Sequence, residues 1–148
     1  MDRIWRPDIL QEAWRRVKRN RGAAGVDGTT LAVVEQYGVE RLLHELGTAL
    51  RAGTYRPQPV LRRYIPKADG RQRPLGIPTI RDRVAQMAAT LVLTPIFEAD
   101  FRASSYGFRP KRSATQALDT LRVQGTRGGN HVRDADLRDD CGSIDHQR

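Results

Sequence analysis

Val60-Leu-Arg-Arg-Tyr-Ile-Pro-Lys-Ala-Asp-Gly-Arg-Gln-Arg-Pro-Leu-Gly-Ile77 is the stretch on which the fold turns. Asp69-Gly70 at its centre supplies the positive-φ pair that tight hairpins demand. The flanks Val60–Ile65 and Gln72–Ile77 read as the two strands. Pro74 has no N–H to give a ladder, so the second strand is predicted to be an edge. The hairpin is crowded with cations: Arg62, Arg63, Lys67, Arg71 and Arg73. Such a flap is suited to closing on a triphosphate, and the alternative is a basic hairpin that is simply solvated.

Outward from the hairpin the pattern becomes helical. Upstream, Gly53 to Pro59 is a linker that Pro57 and Pro59 keep out of the helical region. Before it lie two short helices, roughly Thr30–Tyr37 and Val39–Arg51, the second with Leu42, Leu43, Leu46 and Leu50 on one side. His44 falls on the polar side and is read as a surface residue. Earlier still, Pro7-Asp8 starts a helix whose Leu10, Trp14 and Val17 recur at i, i+4, i+7. Asn20 to Gly28 is a turn-rich, three-glycine loop without the Lys-Ser/Thr end of a phosphate-binding P-loop.

Downstream, Thr79 opens the longest predicted helix, with Asp82 three residues on in an imperfect capping box. Its predicted buried stripe is Val84, Met87, Ala88, Leu91 and Val92, and Pro95 should end or kink it. Ser104-Ser-Tyr-Gly-Phe-Arg-Pro-Lys-Arg-Ser113 interleaves two aromatic rings with three bases. Rings that stack on bases beside cations that hold phosphates are what single-stranded nucleic acid requires. Ser113-Ala-Thr-Gln116 is a capping box that starts a helix predicted to turn Ala114, Ala117, Leu118 and Leu121 inward. Gln124–Asn130 is read as a Gly-rich loop.

The chain then changes character. In His131-Val-Arg-Asp-Ala-Asp-Leu137, a period of two puts Val132, Asp134 and Asp136 on one face. A strand ending in carboxylates and turning through Asp139, Asp140 and Gly142 suits a hard divalent cation such as magnesium, which takes oxygen ligands. A solvated acidic segment is the competing reading.

Charge separates the same two regions. The 148 residues hold 26 Lys and Arg against 17 Asp and Glu, a net charge of +9. Residues 134–148 contribute five acids and two bases, which leaves residues 1–133 at a net +12. A basic body fits a polyanionic partner, because neutralising phosphates releases counterions. Lysine occurs only at 18, 67 and 111, so arginine, with its bidentate fork, dominates; a GC-rich genome would give the same bias. Cys141 is the single cysteine, which excludes an internal disulfide. No apolar run approaches 18 residues and Met1-Asp-Arg-Ile-Trp5 does not resemble a leader, so a soluble cytoplasmic protein without a membrane partner is expected.

Five segments, taken in order, resemble those of reverse transcriptases of the group II intron maturase type. They are Gly22-Ala-Ala-Gly-Val-Asp-Gly28, Ile65 to Pro78, Arg81-Asp-Arg-Val-Ala-Gln86, Ser105-Tyr-Gly-Phe-Arg-Pro-Lys-Arg-Ser113, and Asp134-Ala-Asp-Leu137 with Gly142-Ser-Ile-Asp-His146. The resemblance implies a right-hand polymerase copying RNA into DNA with magnesium, and hence RNA, whether template or intron, and a DNA primer as partners. It implies an α+β fold: a first segment, 1–29, of helix and Gly-rich loop, a mostly helical fingers and upper-palm region over 30–130 with the hairpin, and a first palm strand over 131–148. By the same resemblance Asp136 is the first catalytic carboxylate, and the Leu137 carbonyl also faces the metal. Lys67 and Arg73 hold the incoming nucleotide's phosphates. Arg62, Arg63, Tyr106, Arg109, Lys111 and Arg112 form the RNA-binding surface.

The chain departs from the pattern twice. No Tyr/Phe-Ala-Asp-Asp box occurs in the 148 residues. Asp140-Cys141 stands where the family usually has an aromatic pair against the nucleotide's sugar, and Cys141 is too small to exclude a 2′-hydroxyl. The expectation is therefore a truncated reverse transcriptase, inactive alone unless a second polypeptide completes the palm. The alternative is an RNA-binding module without catalysis.

Overall fold

The fold is α+β, largely helical with one antiparallel hairpin. A computed structural model describes residues 3–66, 68, 70–128, 133 and 135. The elements run α1 (Pro7–Arg19), α2 (Leu31–Tyr37), α3 (Val39–Arg51), β1 (Leu61–Pro66), β2 (Gln72–Ile77), α4 (Ile80–Asp100) and α5 (Ala114–Thr126). The chain forms two compact units, residues 1–100 and 101–148.

Within the first unit, α1 starts where Pro7 fixes φ and lacks the N–H that a first turn would leave unpaired. Asp8 in the first turn and Arg16, Lys18 and Arg19 in the last oppose the helix dipole at each end. The predicted Leu10, Trp14 and Val17 are buried, joined by Ala13. α1 packs mainly on α4 and also on α3. The core combines those residues with Val34 of α2, Leu43 and Leu46 of α3, and Ile80, Val84, Ala85 and Ala88 of α4. Leu42, Leu50, Met87 and Leu91, all expected inside, pack against this core while partly buried. His44 is exposed, as expected. Thr30 caps α2 by accepting from the Val33 N–H at 3.3 Å, and Gly38 at φ 105° makes the corner into α3.

β1 and β2 pair antiparallel in the register Leu61↔Ile77, Arg63↔Leu75, Ile65↔Arg73. The strands lie within a residue of the predicted ones, and Gly70 at φ 79° sits in the connecting loop. Among the described residues the sheet has two strands, so both are edges, where a proline such as Pro74, opposite Tyr64, is tolerated.

α4 does not end at Pro95 but continues to Asp100. Two expectations fail in α5. In α5, Leu118 and Leu121 are 66% and 64% exposed and Ala114 is exposed too; Ala117 alone of the predicted stripe is partly buried. Periodicity marks a face able to be covered, and among the described residues no element covers this one. α5 also runs to Thr126, taking Gly125 into the last turn instead of a loop. The Ser113 capping box is formed in full, with the Gln116 N–H donating to Ser113 Oγ at 3.2 Å and the Ser113 N–H donating to Gln116 Oε1 at 2.9 Å. Ser113→Ala is expected to cost α5 about 1 kcal/mol, seen as a loss of helical circular dichroism before the main melt. An unchanged signal would mean that the box does not hold the helix start.

Candidate nucleic-acid interface

The hairpin's pairing sorts its cations by face. Residues paired across an antiparallel sheet share a side, and neighbours along a strand alternate. Arg63, Ile65, Arg73 and Leu75 therefore lie on one face, and Arg62, Tyr64 and Pro74 on the other. Apart from Leu61 and Ile77 at the base, every described residue of both strands is exposed. The structure thus brings Arg63 and Arg73 together, diagonal to each other beside two exposed apolar side chains, and turns Arg62 away. Among the described residues no ion pair occupies these three arginines. By contrast, part of the charge on α1 is already matched, with Arg15 and Arg16 on Glu12 and Lys18 on Glu35.

In the second unit the Ser104–Ser113 segment folds as a tight loop before α5. Arg109 Nη1 donates to the carbonyls of Arg102 at 2.8 Å and Ser105 at 3.0 Å, and its guanidinium lies 4.9 Å from the Phe101 ring centre. The Tyr106 hydroxyl bonds Thr120 Oγ1 at 2.7 Å, tying the loop to α5, and Arg112 lies over the Tyr106 ring at 5.2 Å. Tyr106 and Arg109 thus brace the loop, while Lys111 and Arg112 are exposed. Phe108 and Lys111 adopt φ of 56° and 59°, a region that side chains other than glycine seldom enter. Phe108 stands fully exposed, as a ring that is to stack on a base must be.

A third cluster was not legible as such. Asp82 is 3% exposed, and its carboxylate accepts from the Tyr55 hydroxyl, from the Gln58 N–H at 3.2 Å and from the Thr79 hydroxyl at 2.7 Å. Thr79 Oγ1 in turn accepts from the Asp82 N–H at 3.2 Å, which caps α4. Burial, and after it the hydrogen bond to Asp82, push the Tyr55 phenol well above its usual range, so the hydroxyl stays a donor. Arg83 Nε donates to the Pro78 carbonyl at 3.0 Å and Nη2 to the Ala23 carbonyl. A Cβ on Gly25 would lie 2.7 Å from Thr79 Cα and N and 2.8 Å from the Pro78 oxygen. The Thr79–Asp82 spacing was the visible signal; Tyr55 had none, since a tyrosine in a Pro-rich linker shows no partner in sequence.

Lys67, Asp136, Leu137 and Cys141 lie outside the described residues, as does most of the acidic strand that carried the magnesium expectation. Among the described residues no group of three or more His, Cys, Asp or Glu is placed to hold a metal ion. No helix among them is long and apolar enough to cross a membrane.

The first unit carries an exposed basic hairpin, and the second a braced loop with an exposed ring. The chain is 40% identical to Protein YkfC of Escherichia coli (strain K12) over 97% of its own length and 39% of that protein's. It is 35% identical to the group II intron-encoded protein LtrA of Lactococcus lactis subsp. cremoris, over 97% of this chain and 24% of LtrA. It is also 30% identical to the putative COX1/OXI3 intron 1 protein of Saccharomyces cerevisiae, over 94% of this chain and 16% of that protein. No protein-family model matches the chain. The chain is homologous to group II intron-encoded proteins over nearly all its residues, and it spans well under half the length of these relatives.

Proposed function

We propose that the chain acts in reverse transcription or maturation of group II intron RNA, as the RNA-gripping fingers region of a right-hand polymerase. The observation that carries this reading is the similarity to LtrA across 97% of the chain. The exposed arginines of the hairpin and the exposed ring of Phe108 support it. In this reading Arg62, Arg63, Lys111 and Arg112 meet RNA, while Tyr106 and Arg109 hold the loop that meets it. Lys67 and Arg73 grip the phosphates of an incoming nucleotide, with Cys141 beside its sugar. Asp136 and the Leu137 carbonyl offer magnesium the oxygen ligands it takes. The ion would lower the pKa of a DNA primer's 3′-hydroxyl. The opposing carboxylates of the family's Asp-Asp box would come from residues other than these 148, whether in the same or a second polypeptide. By itself the chain is then an RNA binder and not a polymerase.

Binding of the 148-residue chain to a structured RNA over a salt series tests this directly. Affinity should fall steeply with salt, and replacing Arg62 and Arg63 with Ala should flatten the slope by about 2. Asp136→Ala should leave affinity unchanged. Binding that ignores salt, or primer extension that survives Asp136→Ala, would count against the assignment.

A further inference from the structure

The contacts of Asp82 and Arg83 converge on the base of the hairpin. Tyr55 and Gln58 lie in the leg entering β1, and Thr79 lies in the leg leaving β2. One oxygen of Asp82 takes the Tyr55 hydroxyl, and the other takes both the Gln58 N–H and the Thr79 hydroxyl. A single buried carboxylate therefore fastens both legs to the first turn of α4. Beside it, Arg83 fastens the outgoing leg to the Gly22–Gly28 loop through Pro78 and Ala23. That loop can close on Thr79 because residue 25 has no side chain.

The hairpin's strands make their substantial contacts with each other and are exposed beyond Leu61 and Ile77. An isolated two-stranded hairpin is marginal in water, so the direction in which this one projects is set at its foot. We infer that Asp82 is a positioning residue: it fixes the angle at which the arm presents Arg63 to RNA, with Arg73 on the same face. A carboxylate suits the place because all three partners are donors, and it accepts at both oxygens without offering a proton of its own. The inference rests on the reading of the hairpin as an RNA-facing arm.

The test measures the arm's direction without RNA, then RNA affinity separately. In a Cys141→Ser background, spin labels at Gln72→Cys on the arm and His44→Cys on α3 report one distance distribution. Asp82→Ala and Tyr55→Phe should each broaden it, Tyr55→Phe serving if Asp82→Ala does not fold. Val84→Ala, which empties part of the core without touching the clamp, should lower the melting temperature and leave the distribution narrow. Tyr55→Phe should also weaken RNA binding several-fold with an unchanged salt slope, since no cation is lost. A distribution no broader in Asp82→Ala and Tyr55→Phe than in Val84→Ala overturns the inference, whatever happens to RNA affinity. A broadened distribution with unchanged affinity keeps the clamp but removes the hairpin from the RNA reading.

Discussion

Trp14→Ala is expected to destabilise the chain by about 3–5 kcal/mol. Trp14 is 7% exposed on α1, in a core that four helices share. Removing the indole subtracts the largest apolar side chain of that core and leaves a cavity that rigid helices cannot wholly close. The core is small, with eleven buried apolar residues among those described, and domains of this size are held by about 5–15 kcal/mol in all. The mutation should thus remove a large share of the total, shifting the thermal midpoint down by roughly 6 °C or more. Urea unfolding monitored by circular dichroism measures the loss. A change below about 1 kcal/mol would mean that α1 is not seated on α4 through this side chain.

The second large effect is expected from one added methyl group. Gly25→Ala places a Cβ under 3 Å from three backbone atoms, Thr79 N, Thr79 Cα and the Pro78 oxygen. Backbone cannot rotate aside as a side-chain tip can, so the Gly-rich loop must lift from the start of α4. Overpacking of this kind costs about 1–3 kcal/mol. The lift also strains the bonds from Arg83 to Pro78 and Ala23. Gly28→Ala makes a useful contrast, because nothing lies within 4 Å of its Cβ position and only its φ of 68° resists the change. Comparing the two melts separates lost space from backbone strain. Equal and small losses at both positions would show that the close approach at Gly25 does not hold the loop.

How far the sequence foretold the structure depended on the range of the interaction. Elements governed by neighbours were legible: Pro7 at the head of α1, the Ser113–Gln116 box, and the hairpin around Asp69-Gly70. Core residues at helical spacing, such as Leu10, Trp14, Val17, Leu43 and Leu46, were legible for the same reason. What failed needed knowledge of distant partners. Leu118 and Leu121 carry the spacing of a buried stripe and remain exposed. Asp82 reads as the third residue of an imperfect capping box, and its burial against Tyr55 and Gln58, far back in the chain, has no signal in sequence. At the interface, composition located the cationic segments, but only strand register shows that Arg63 and Arg73 share a face that Arg62 does not. Likewise the family resemblance marks Arg109 for RNA contact, and in the fold its guanidinium braces the loop.

The packing of α1 chiefly on α4 has a consequence during synthesis. α1 leaves the ribosome first among the helices, but its main cover is the last helix of its unit to appear. Until then, among the described elements, Leu10, Trp14 and Val17 have chiefly α3 to rest on. Nascent chains grow at about 5–20 residues per second, so this apolar stripe waits uncovered for several seconds in every molecule made. That interval is when a chaperone, or a second nascent copy, would find it.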